Sequence, residues 1–227
     1  MVPCRKTLVV LLMFGLFGLI QLSFTAVSCR ADVQGDVDRA VIILERFYEI
    51  PENSIPPAVL RHAHGLVILR DIKAGFILSG RGGSGIVVAR TSKGGWSGPS
   101  AISTGGAGFG FQAGGEVTEF VLVLNSRAAV EAFSQGGNVS LGGQLSAAAG
   151  PVGRTAEGSV LPVAAVYTYS RSQGLFAGAS LEGTVIVTRD ERNEEYYRKP
   201  VSPAQILSGA VRPPKGAQRL LKVLSRY

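Results

Sequence analysis

At 227 residues, with 46% hydrophobic and 17% charged side chains, the chain has room for one well-buried domain and lacks the composition of a disordered one. Its formal charge of +7 is unevenly spread: residues 30–197 carry fourteen Lys/Arg against sixteen Asp/Glu, while residues 198–227 carry seven cations and no acid. The basic stripe across a folded domain that marks a nucleic-acid binder is missing, so no nucleic-acid partner is expected.

Arg5 and Lys6 precede an unbroken apolar run from Leu8 to Ile20. A membrane-spanning helix needs roughly 20 such residues, so this shorter run with a basic flank reads as a signal peptide over residues 1–28. The cut is expected after Ala26-Val27-Ser28, directly before Cys29. A lipoprotein signal also places small residues before a cysteine that takes the lipid, although Ala26 stands where such signals usually have leucine. Simple cleavage, lipid attachment at Cys29 and retention as an uncleaved anchor all stay open. The expected location is periplasmic or envelope-associated. Cys4 leaves with the signal, so the mature chain has at most one cysteine and no intramolecular disulfide.

The first mature element is an amphipathic helix in which Val37, Ala40, Val41, Leu44, Phe47 and Tyr48 share one face, with Asp38, Arg39, Glu45, Arg46 and Glu49 opposite. A short helix follows from Ser54-Ile55-Pro56-Pro57, with Ser54 as its cap, running to His64 and stopping at Gly65. Strands are predicted over Gly65–Arg70, Ala74–Ser79 and Gly85–Arg90, with turns at Asp71-Ile72-Lys73 and Arg81–Ser84. From Thr104 to Glu116, Phe109 and Phe111 alternate with glycines, leaving one face bare for close packing. Val117–Leu124 is a strongly apolar strand, and Ser126 caps a helix through Phe133 that stops at Gly136-Gly137. Further strands are expected at Val139–Ala147, Val160–Tyr169, Leu175–Leu181 and Thr184–Thr188. The fold class is α+β: a mainly antiparallel, barrel- or sandwich-like sheet with an N-terminal amphipathic helix and a few short helices.

Catalytic chemistry is sparse. Gly80-x-Gly82-x-x-Gly85 matches a dinucleotide fingerprint in letters only, because a β-branched run follows it and no acid occurs between Asp71 and Glu116. His62 and His64 are the only histidines, and two residues apart on a helix they point away from each other, so neither a metal site nor a cofactor is expected. Glu116 and Glu119 read as neighbours on a strand edge. Nothing in the sequence predicts an enzyme.

The tail, residues 202–227, breaks at Pro213-Pro214 and then forms a short amphipathic helix. Leu220, Leu221 and Leu224 lie on one side, and Arg219, Lys222 and Arg226 on the other. Such a helix suits an anionic membrane surface, with leucines buried and cations at the headgroups. It also suits docking on its own domain, since about three turns are marginal alone.

Tyr167–Gly183 (Y-T-Y-S-R-S-Q-G-L-F-A-G-A-S-L-E-G) alternates aromatic or small residues with polar ones. With I-P-P-A-V-L at Ile55–Leu60, H-G-L-V-I-L at His64–Leu69, K-A-G-F at Lys73–Phe76, G-R-G-G-S-G at Gly80–Gly85, W-S-G-P at Trp96–Pro99, G-F-Q-A-G at Gly110–Gly114, G-P-V-G-R at Gly150–Arg154 and N-E-E-Y-Y at Asn193–Tyr197, it resembles the SYLF family over residues 33–201. That resemblance implies a non-enzymatic domain binding phosphoinositides or other anionic phospholipids, related to the yeast actin-binding SH3 proteins, here as an exported bacterial-type member. Actin is not expected as the partner of an exported chain. Looking for cations to meet a lipid phosphate, we single out Lys73 and Arg81 beside predicted turns, Arg154 after a glycine-proline turn, and Arg171 in the signature stretch. The alternative is an envelope protein that binds a protein partner through its glycine-faced strands.

Overall fold

In the computed structural model, which describes residues 32–49, 54–141, 145–150, 164–174 and 184–226, with backbone alone at 76–79, 107–113 and 174, two long strands dominate. Strand β1 runs from Gly65 to Ala89 and β2 from Ser100 to Leu124. They pair antiparallel from Gly65↔Leu124 to Val87↔Ser100, with one register shift between Phe76 and Leu78. At about 3.3 Å per residue such a strand would reach ~80 Å if straight, far beyond a domain of this size. The strands therefore curl back on themselves. The Arg90 N–H donates to the His64 carbonyl at 2.8 Å, and a Cβ built on Gly83 or Gly85 would overlap the carbonyl oxygens of Arg70 and Ile68 respectively. The two arms of β1, residues 65–71 and 83–90, thus lie backbone to backbone.

This corrects the turns expected at Asp71–Lys73 and Arg81–Ser84. Both segments are mid-strand, opposite Val117–Thr118 with Glu116, and Ser103–Gly106. Glycine-rich letters predict a reversal. Here they allow close approach within one continuous strand. The same logic does not cover every glycine, because a Cβ at Gly80, Gly105 or Gly115 would meet nothing within 4 Å.

The remaining strands are short: β3 Asn138–Ser140, β4 Ala147–Ala149, β5 Val166–Gly174 and β6 Val185–Thr188. The sheet runs β3-β6-β2-β5-β4 with β1 also on β2, and it is antiparallel except for β4 beside β5. One arm of β2 holds β5 and the other holds β6. The signature stretch supplies β5, while residues 175–183, including the strand expected at Leu175–Leu181, lie outside the described residues, as do 160–163. Of the strand expected at Val139–Ala147, Val139 and Ser140 belong to β3 and Ala147 opens β4, while residues 142–144 lie outside the described residues.

Helices cover both faces, which explains runs of apolar residues without alternation. One core joins Leu66, Ile68, Ile86, Val88, Val121 and Val123 to α1 (Val33–Glu49) and to α6 (Gln218–Leu224). The other joins Val67, Leu69, Val87, Phe120 and Leu122 to α3 (Arg127–Ser134) and α5 (Pro203–Leu207). As expected, Ser126 caps α3, its hydroxyl oxygen accepting the Ala129 N–H at 3.1 Å. Helix α2 (Pro57–His62) has Pro56 rather than Ser54 at its N-cap, and Ala63 closes it because Gly65 already belongs to β1. Tyr48 is 61% exposed instead of facing the core, and Ile43 is buried in its stead.

Two helices escaped the sequence reading. Helix α4 (Asp190–Tyr197) is nearly all polar, and it is held by two buried side chains, Asn193 and Tyr197, the latter donating its hydroxyl to the Pro99 carbonyl at 3.1 Å. The other anchor is the Asn193 side chain. That amide accepts the Ala101 N–H at 2.7 Å and donates to the Ser100 hydroxyl at 3.0 Å. Helix α5 has a capping box, Ser202 with Gln205, on a segment too short to show periodicity.

The C-terminal helix α6 docks on the domain. Leu220 and Leu224 are fully buried, Arg219 reaches Glu45 of α1 at 3.5 Å, and the Trp96 indole N–H donates to the Leu224 carbonyl at 2.9 Å. Lys222 and Arg226 face solvent, and Leu221 is half-buried. The leucines are therefore spent in the core and are not available to a membrane in this structure. Replacing Leu220 by alanine is expected to cost about 3 kcal/mol, as large-to-small core changes do. Thermal unfolding of the full chain would read this as a melting point lowered by several degrees.

Candidate functional site

The cations singled out from the sequence do not meet at one place. Lys73 is half-buried in β1, opposite Glu116 rather than at a turn. Arg81 is likewise no exposed hairpin tip. Its Nε and Nη2 sit 2.9 and 2.8 Å from Asp71 Oδ2, and Asp71, 1% exposed, also takes the Thr104 hydroxyl on Oδ1 at 2.6 Å. A buried carboxylate without a counter-charge would be strongly destabilising, so this guanidinium serves the fold. Arg154 lies outside the described residues.

Arg171 is different. In the strand register it stands opposite Glu119, which stands opposite Arg70 on its other side. The row Arg70–Glu119–Arg171 crosses three strands, and the next row on the same face is Ile72–Val117–Gln173. Helix α1 lies along these rows and adds Arg39, Arg46, Asp38 and Ile42, enclosing a groove of about 400 Å³. Side chains meet across strands only when their registers align, and here alignment puts two arginines beside one acid.

Arg46 donates to Glu119 at 2.5 Å, while Arg39 donates to Asp36 at 2.6 Å just beneath the groove. Asp36 is 5% exposed and also accepts the Ser84 hydroxyl at 2.7 Å; burial raises its carboxyl above the usual range, against the pull of Ser84 and Arg39. Arg70 and Arg171 have no ion pair among the described residues, so the groove keeps surplus positive charge even when Asp36, Asp38 and Glu119 are all counted. Ile42, 43% exposed, lines it, and Ile72, 51% exposed, stands opposite the lining residue Val117 in the next row. Arg39, Arg46 and Arg70 were missed as site residues. The first two were assigned to the solvated face of α1, and only the pairing of three strands brings Arg70 beside Arg171. Glu116 and Glu119, taken as strand-edge neighbours, sit on a strand paired on both sides and point to opposite faces.

The two histidines also differ from expectation. His62 ends α2 while His64 precedes β1, so both open on one cleft instead of pointing apart. No group of three or more metal-binding side chains occurs among the described residues.

Comparison with known proteins places the chain in a family. Residues 105–227 match the model described as Ysc84, Las17-binding protein actin regulator. The chain belongs to the Ysc84 family. This agrees with the SYLF resemblance, and the curled α+β sheet agrees with the expected fold class. The chain is similar to an SH3 domain-containing protein of Schizosaccharomyces pombe, 51% identical over 175 residues, which is 75% of this chain and 41% of that protein. It is 46% identical over 204 residues to the SH3 domain-containing YSC84-like protein 1 of Homo sapiens, covering 87% of this chain and 60% of the relative. With LAS seventeen-binding protein 3 of Saccharomyces cerevisiae it shares 49% over 174 residues, 75% of this chain and 38% of the relative. This Ysc84-family chain thus spans between 38% and 60% of the length of these relatives.

Proposed function

We propose that this protein binds anionic phospholipid headgroups at a membrane surface, without catalysis, through the arginine groove between α1 and strands β1, β2 and β5. The observation that carries this reading is the row Arg70–Glu119–Arg171, in which two half-buried guanidinium groups without ion pairs among the described residues flank a single acid. Guanidinium forks match phosphate oxygens bidentately, and Ile42 and Ile72 at the groove offer apolar contact beside them. Lys222 and Arg226 would add long-range attraction from outside.

The test is co-sedimentation of the full chain with neutral vesicles and with vesicles containing phosphatidylserine. The neutral arm measures what the apolar run Leu8–Ile20 contributes. Binding should rise with anionic lipid and fall as salt rises; a salt-insensitive difference, or none, would sink the mechanism. The reading includes export through residues 1–28 to the envelope, with Cys29 as the residue that would carry a lipid. Intact mass of the purified protein checks both.

A second reading, binding of a protein partner, is favoured by the family description, which names Las17 binding and actin regulation for its members. Crosslinking followed by pull-down separates the two, since lipid binding needs no stoichiometric protein.

A further inference from the structure

A larger cleft, of about 750 Å³, opens among α2, the end of β1, α3 and α5. It is distinct from the arginine groove, sharing none of its lining residues. Arg61 comes from the last turn of α2, Arg90 from the residue after β1 and Arg127 from the first turn of α3; His62 and His64 stand beside them. Among the described residues the one acid in its lining is Glu131. Ala63, Val130 and Leu207 give it an apolar floor.

Three features make this a formed site instead of a chance gathering of surface charge. Arg90 is half-buried with its guanidinium 4.1 Å from the centre of the Trp96 ring, and that ring is pinned by its N–H to the Leu224 carbonyl. One wall is thus preset by the docked C-terminal helix. The His62 Nδ1–H donates to the Ala58 carbonyl at 2.8 Å, which leaves the other ring nitrogen for the cleft. The His64 Nδ1 is buried and has no hydrogen-bond partner among the described residues, a cost a native fold rarely leaves without use. Arg61 and Arg127 are exposed and have no ion pair among the described residues.

We propose that this cleft is a second anion site, taking a small molecule that carries phosphate groups. The volume lies in the range of small-molecule clefts. Several guanidinium groups converging over an apolar floor suit phosphate groups attached to an organic body, because each fork can hold two phosphate oxygens. The same chemistry is offered by a soluble phosphate ester and by the phosphate of a lipid headgroup.

The probe is inorganic pyrophosphate, titrated into the full chain in mild detergent by calorimetry, with phosphatidic acid carried in micelles of the same detergent as competitor. Saturable pyrophosphate binding is expected, weakened at least about 10-fold by Arg61→Gln with Arg127→Gln, each charged contact being worth a tenfold change or more. Both side chains are exposed, so the double variant should keep the wild-type melting point. If phosphatidic acid in the micelles displaces pyrophosphate from the wild type, the ligand is a headgroup; if it does not, the ligand is soluble. Both outcomes keep the site. No saturable binding overturns the proposal, and so does binding that survives the double variant and is instead lost in Arg70→Gln with Arg171→Gln. Because those two residues belong to the other groove, failure here leaves the membrane reading untouched.

Discussion

Exchanging both Arg70 and Arg171 for glutamine is expected to weaken binding to phosphatidylserine vesicles about 30-fold, because each cation near the headgroups contributes about 1 kcal/mol. Binding to neutral vesicles should not change. The two side chains flank Glu119 across the sheet, so a purely structural role would appear as a lowered melting point with no selective loss of anionic binding. The reverse change separates the two roles further. Glu119→Gln removes the partner of Arg46 and a buried carboxylate oxygen that accepts no hydrogen bond among the described residues. It should cost some stability yet strengthen anionic binding, since the surplus positive charge of the groove grows by one. A drop in binding for Glu119→Gln would mean that the row holds the sheet together rather than meeting a phosphate. The measurement is the same co-sedimentation, at low and raised salt, with circular dichroism on each variant.

The largest effect on stability is expected from Gly85→Ala. A methyl group there would overlap the Ile68 carbonyl oxygen and crowd the Cα and Cβ of Leu69 at 2.6 Å. Those contacts are main chain or the root of a buried side chain, so no rotamer change relieves them. The arms of β1 must separate, which opens both cores at once, since Ile68 faces one and Leu69 the other. Overpacking costs typically 1–3 kcal/mol, and a backbone clash at the centre of the domain should exceed that, at roughly 4 kcal/mol or outright failure to fold. Gly105→Ala is the internal control. A Cβ there meets nothing within 4 Å, and alanine in a strand interior should be neutral or stabilise by about 0.5 kcal/mol. Equal effects from the two substitutions, read by chemical denaturation, would contradict the packing described for β1.

Local periodicity alone determined the amphipathic helix at Val33–Glu49, the Ser126-capped helix, the apolar strands around Val67, Val87 and Leu122, and the α+β class, because each rests on spacing within one segment. The ordered motifs along the chain determined the family in the same way. Where the strands turn was not legible. Glycine runs that look like reversals are places where a curled strand meets itself, and only the partner at Ile68 and Arg70 tells Gly83 and Gly85 from Gly80. Segments too short or too polar to show a period, α4 and α5, were invisible, since α4 is held by two buried side chains, Asn193 and Tyr197, whose partners are 92 to 98 residues away. The candidate site divides along the same line. Arg171 stood out in the sequence because it is a cation within the signature stretch that carries the family resemblance. Arg70 did not, for nothing local separates it from the strand around it. Charge carries its sign in the sequence, but whether a cation is neutralised depends on who stands opposite. Asp71 takes Arg81 out of service, and the strand register sets Arg70 and Arg171 on either side of Glu119. That pairing is a property of three strands brought together, and no single one of them contains it.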